Sequence, residues 1–107
     1  AYAPAMAAPT EEVIEVCRPL AEYGGLYCTH MRDEGDEIMA SLDETFRIGR
    51  ELGVPVVISH HKLAGVNNHG RSVQTLQRRS SGCCRPGRFI SAWTTPTCSA
   101  SCSSTKP

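Results

Sequence analysis

Two short apolar runs, Leu26 to Thr29 and Val54 to Ser59, each end on a histidine, His30 and His60, and a stretch of helical periodicity separates them. A strand, a helix and a second strand in that order make a parallel crossover, right-handed in nearly all cases. The two histidines then fall at one rim of one sheet. Neighbouring strands lie about 5 Å apart, so imidazoles placed just after each strand reach a single ion. A lone histidine after a strand is most often a hydrogen-bonded loop residue; a second at the matching position of the next unit puts the ligand reading on an equal footing with that one.

The flanking segments fit this layout. Thr10 is placed to cap a helix whose first turn holds Glu11 and Glu12, with Val13, Ile14, Val16, Cys17, Leu20 and Ala21 as its apolar stripe and Gly24-Gly25 as its stop. A polar loop runs from His30 to Gly35, and from Asp36 a second helix carries Ile38, Leu42, Phe46 and Gly49 at helical spacing, with Gly53 just past its end. Val54 to Ser59 is a β-branched run without alternation, the pattern of a strand buried on both faces, and Pro55 suits its first positions.

Other residues have plainer readings. His61 is expected to point away from His60, as a donor supporting the metal ligands or as a loop residue. Lys62 is either a cation for a substrate carboxylate or a solvated loop lysine. Arg32, Asp33 and Glu34 read as a solvated loop, and His69 as surface. Cys17 and Cys28 sit in apolar elements and read as buried free thiols. Cys83, Cys84, Cys98 and Cys102 match no common zinc-ligand spacing. A small non-catalytic module holding zinc or disulfides in this cysteine-rich tail is the alternative function.

At 107 residues the chain falls short of a closed α/β barrel, which needs roughly 200 or more, so a piece of a larger fold is expected. Two strands alone leave unpaired edges, and aggregation is the expected failure. Net charge is zero, which gives no general reason for nucleic acid or anionic lipid as a partner. No run approaches the roughly 20 apolar residues of a membrane span. Ala5 to Ala8 lacks the length and basic flank of a signal peptide, and the cysteines demand no oxidising compartment, so the cytoplasm is the expected location.

All 11 acidic residues lie between Glu11 and Glu51. Arg78 to Pro107 instead holds 7 Ser, 4 Thr, 4 Cys, 4 Arg and 3 Pro in 30 positions, too little apolar matter for a core. The chain therefore divides into residues 1–77, an α/β segment, and 78–107, a low-complexity, irregular tail. A slip of reading frame near Gln77 accounts for the change, with a genuine alternative terminus as the competing account. Neither loop after a strand offers a Gly-rich phosphate cradle, which ranks a flavodoxin-like nucleotide binder last.

The residues from Thr10 to Leu20, the run Thr29-His30-Met31-Arg32-Asp33-Glu34-Gly35, and Val54 through Lys62 with Asn68, Gly70 and Arg71 resemble the middle of the N-acyl-D-amino-acid deacylase (D-aminoacylase) family of metal-dependent amidohydrolases. The resemblance covers about residues 1–77 and implies part of a (β/α)8 TIM-type barrel around its fifth and sixth strands, two parallel strands with flanking helices. It implies His30 and His60 as ligands of Zn2+, Tyr2 and Lys62 near the substrate, and an N-acyl-D-amino acid as the small-molecule substrate of the intact parent. The chemistry implied is attack of a metal-activated hydroxide on the amide carbonyl, with an aspartate passing the proton to the leaving amine. The family's His-x-His pair, bridging cysteine and late aspartate have no counterpart here, so no catalytic residue is assigned and the segment alone is expected to be inactive.

Overall fold

The computed structural model describes residue 3 and residues 5–82 and 89–91. After a 3-10 turn at Ala5–Ala7 come α1 (Thr10–Tyr23), β1 (Tyr27–Thr29), α2 (Ile38–Leu52), β2 (Val56–Ile58), a 3-10 turn at Val66–Asn68, α3 (Ser72–Gly82) and β3 (Phe89–Ser91). The sheet has the order β1-β2-β3 and is parallel throughout, with Thr29 opposite Ile58 and Ile58 opposite Ser91. The α/β crossover expected from the sequence is therefore present. Both long helices stop where the glycines stand: Gly24 at φ 69° and Gly53 at φ 66° take the left-handed conformation, and their N–H groups donate to Leu20 O and Gly49 O.

Helix α2 packs on α1, α3 and β2. Its faces build two cores. Ile38, Leu42 and Phe46 join Met31 and Ile58 beneath the rim that carries the histidines, while Ile48 and Leu52 join Ile14, with Val13, Cys17, Tyr27 and Val54 packed at the edge. Gly49 permits the approach of helix to sheet, since a Cβ there would run into Val56 Cγ2.

Several expectations need correction. Pro9, not Thr10, is the N-cap of α1; the Thr10 hydroxyl donates to Glu44 Oε1 on α2 at 2.8 Å instead, because a charged acceptor outcompetes a cap. The strands are shorter than their apolar runs. Val56 and Ile58 are buried but Val57 is only half-buried, and Cys28 is exposed rather than buried. One face of the sheet is covered by helices; the face of Val57 and Cys28 is not covered to the same degree.

The sheet also has three strands, not two, and its third lies in the stretch read as an irregular tail. Helix α3 runs across Gln77 without a break, and Arg78 makes a two-pronged ion pair to Asp43 of α2 at 2.8 and 2.7 Å. Cys83, Cys84, Cys98 and Cys102 lie outside the described residues. No helix among the described residues is long and apolar enough to cross a membrane.

Arg32 is not a solvated loop residue. Its guanidinium grips Glu44 at 2.9 and 2.6 Å and donates to Met6 O at 2.6 Å, pinning the N-terminal turn and the β1–α2 loop to α2. The Arg32 hydrogen bonds, aided by Thr10, hold the Glu44 carboxyl below its usual range against the opposing effect of burial. A depressed folded-state pKa stabilises above the unfolded value of about 4.3, and that stability is lost as pH falls through the folded value. Glu44→Gln is therefore expected to cost about 1.5–3 kcal/mol at pH 7. The difference from wild type should shrink toward pH 3 in urea titrations; a pH-independent difference contradicts the assignment.

Candidate metal centre

His30 and His60 follow β1 and β2 directly, and the ladder between the strands is prolonged by Ser59 N donating to Thr29 O at 2.9 Å. The strand ends thereby bring residues thirty positions apart together. His30 Nδ1 faces His60 Nε2 at 2.5 Å, with ring centroids 4.4 Å apart and ring planes tilted by 57°. Glu34, in the loop after β1, completes the group: the nitrogens and carboxylate of His30, Glu34 and His60 lie within 4.8 Å of one another.

Glu34 stands on the other side of the His60 ring. Its Oε1 is 2.7 Å from His60 Nδ1 and its Oε2 is 3.1 Å from Lys62 Nζ. The Nδ1 contact is close but out of line for a hydrogen bond, so this buried nitrogen has no hydrogen-bonding partner. At 2.7 Å the Glu34 carboxylate is nonetheless within reach of that nitrogen.

The donors fit zinc. Imidazole nitrogen is a preferred ligand, and two imidazoles on one tetrahedral zinc hold their nitrogens roughly 3.3 Å apart, given Zn–N bonds of about 2.0–2.1 Å. The observed pair is within about 1 Å of that spacing. Both histidines are accessible from one side, His30 exposed and the His60 side chain 39% exposed.

The surrounding loops are tied together. Ala64 N donates to Glu34 O at 2.7 Å, and buried Asn68 donates to Asp36 Oδ1 and Ala64 O, both at 2.8 Å, while Arg71 Nη1 donates to Asn68 Oδ1. His61 Nε2 lies 2.9 Å from Thr75 Oγ1 on α3. Lys62 keeps a 60% exposed side chain. His69 is exposed, as its sequence context suggested. Tyr2 lies outside the described residues. Glu34 is the member that the sequence reading left as solvated loop. Its side chain is only 18% exposed, and its partners come from beyond β2, so no local spacing announces it.

Two histidines at the carboxyl ends of adjacent parallel strands, with a carboxylate and a lysine beside them, define an α/β segment with a candidate metal centre at its strand ends. No family model matches the chain. A D-aminoacylase of Alcaligenes xylosoxydans xylosoxydans is 69% identical over 75 residues, which are 70% of this chain and 16% of the relative. The crystal structure of a D-aminoacylase said to define a novel subset of amidohydrolases superposes with a TM-score of 0.79 at 57% identity, covering 84% of this chain and 19% of that one. An N-acyl-D-glutamate deacylase from Bordetella bronchiseptica, solved with zinc and a phosphonate mimic of the tetrahedral intermediate, gives a TM-score of 0.77 at 33% identity over 85% of this chain and 19% of that one. The matched stretch of this chain belongs to the N-acyl-D-amino-acid deacylase family of the amidohydrolases. It spans 16% of the length of the curated relative.

Proposed function

We propose that the chain is a segment of a zinc-dependent hydrolase that cleaves the amide C–N bond of N-acyl-D-amino acids, and that its strands belong to a (β/α)8 barrel whose inward face bears Cys28 and Val57. The observation that carries this reading is the 2.5 Å meeting of His30 Nδ1 and His60 Nε2 at the ends of adjacent parallel strands. In it, His30 and His60 hold the ion through those nitrogens. Bound zinc supplies Lewis acidity toward the amide carbonyl oxygen. Lys62 binds the substrate carboxylate: an N-acyl amino acid carries carboxylate and amide on the same carbon, so a cation linked to His60 through Glu34 fixes the direction in which the amide enters. Among the described residues only His30, Glu34 and His60 gather as possible ligands, so catalysis is assigned to a longer chain, of which this one matches the part equal to 16% of the curated relative.

The test is a transplant. Residues 5–77 of this chain, put in place of the matching stretch of a D-aminoacylase, are expected to give an enzyme that hydrolyses N-acyl-D-amino acids within about tenfold of the parent, equivalent to about 1.4 kcal/mol of barrier. His60→Ala in the transplant should abolish the reaction. A folded, zinc-loaded transplant with no hydrolysis would overturn the proposal.

A further inference from the structure

The Glu34 carboxylate touches both His60 and Lys62, and it is not a third ligand on the same side as the histidines. The two nitrogens of one imidazole point away from opposite sides of the ring, so a single ring cannot aim both at one ion. His60 turns Nε2 toward His30 Nδ1 and Nδ1 toward Glu34 Oε1. An ion between the histidines therefore has the His60 ring between it and Glu34.

The carboxylate is also held in place. The Glu34 backbone carbonyl accepts from Ala64 N at 2.7 Å, Asp33 N next to it donates to Ser41 Oγ at 2.8 Å, and Gly35 N donates to Asp33 Oδ1. These bonds anchor the loop on both sides of Glu34. With a side chain 18% exposed, the carboxylate needs partners, and its two oxygens meet two: His60 Nδ1 at 2.7 Å and Lys62 Nζ at 3.1 Å.

We infer that Glu34 is a positioning residue that keeps the proton of His60 on Nδ1, leaving Nε2 free for the metal, and at the same time holds the Lys62 ammonium at a fixed place beside the site. This inference rests on the zinc reading of the histidine pair. A carboxylate on the far nitrogen of a metal-bound histidine fixes its tautomer and ring orientation and raises its basicity, and removing such a partner typically weakens metal binding by about 10- to 100-fold. One carboxylate serving both a ligand and a substrate cation sets metal and substrate orientation together.

The experiment uses the full chain and two measurements on wild type, Glu34→Ala and the control His30→Ala/His60→Ala. Zinc affinity is read by competition with a chromogenic chelator. The His60 tautomer is read by 15N NMR on the zinc-free chain, well above the usual histidine pKa of about 6.5. Wild type should show the proton on Nδ1. Glu34→Ala should show a mixture of tautomers and bind zinc about 10- to 100-fold more weakly. If Glu34→Ala fails to fold, Glu34→Gln keeps the side-chain volume and should weaken zinc in the same direction, by up to about tenfold. Unchanged affinity with an unchanged tautomer overturns the role of Glu34. Equal zinc binding by wild type and the double-alanine control overturns the metal reading itself, so the two failures are distinct.

Discussion

Alanine at both His30 and His60 is expected to remove zinc binding while leaving the fold in place. Structural zinc in small peptides binds with about 10–16 kcal/mol over four ligands, on the order of 3 kcal/mol for each. Losing two ligands should lower affinity by at least about 1,000-fold, and a calorimetric titration should show no saturable binding. The fold should survive because neither ring is part of a core: His30 is exposed, and the His60 side chain is 39% exposed beside it. Substitutions at such places usually change stability by no more than about 0.5 kcal/mol. Circular dichroism and urea midpoints should therefore coincide with those of wild type. Zinc binding that persists in the double variant would put the ion elsewhere.

Leu42→Ala carries the largest expected effect on stability. Leu42 is 0% exposed and lies in the cluster of Met31, Ile38, Phe46 and Ile58. Removing such a side chain costs about 2–5 kcal/mol in lost transfer and an unfilled cavity, a large share of the roughly 5–15 kcal/mol that stabilises a typical domain. The effect reaches the site, because Met31 follows His30 directly and Ile58 stands two residues before His60. The two histidines thus rest on the same cluster. Urea unfolding should move to a much lower midpoint, and saturating zinc should recover part of the loss, since a ligand that binds only the folded state stabilises it by mass action. Val73→Ala, at a residue 58% exposed, is the control and should change little. A Leu42→Ala chain within about 0.5 kcal/mol of wild type would mean that this cluster does not carry the rim.

What the sequence disclosed was local. The helical spacing of Ile38, Leu42 and Phe46, the glycines at positions 24 and 53, and the β-branched run before His60 each depend on neighbours a few residues away, and each has its counterpart in the structure. The misreadings concern side chains whose partners are distant. Thr10 looked like a cap until Glu44 offered a charged acceptor from α2. Arg32 and Glu34 looked solvated because Met6, Glu44, His60 and Lys62 reach them only after the chain has folded. Cys28 looked buried because its apolar run reads as a buried strand, yet it is exposed: such a strand is covered on both faces only when further layers or strands enclose it.

Helix α3 and strand β3 were hidden for another reason. From Ser72 onward the serine-, glutamine- and arginine-rich composition has no apolar periodicity strong enough to read. The strand is defined by its pairing with β2, where Phe89 lies opposite Val56 and Ile90 opposite Val57. Backbone pairing leaves little trace in a single sequence.

The most direct test of the account is the zinc K-edge X-ray absorption spectrum of the full chain loaded with one equivalent of zinc. The account predicts a first shell of nitrogen and oxygen at about 2.0–2.1 Å with the outer-shell scattering of two imidazoles, from His30 and His60. A shell dominated by sulfur at about 2.3 Å would assign the zinc to cysteines and contradict it.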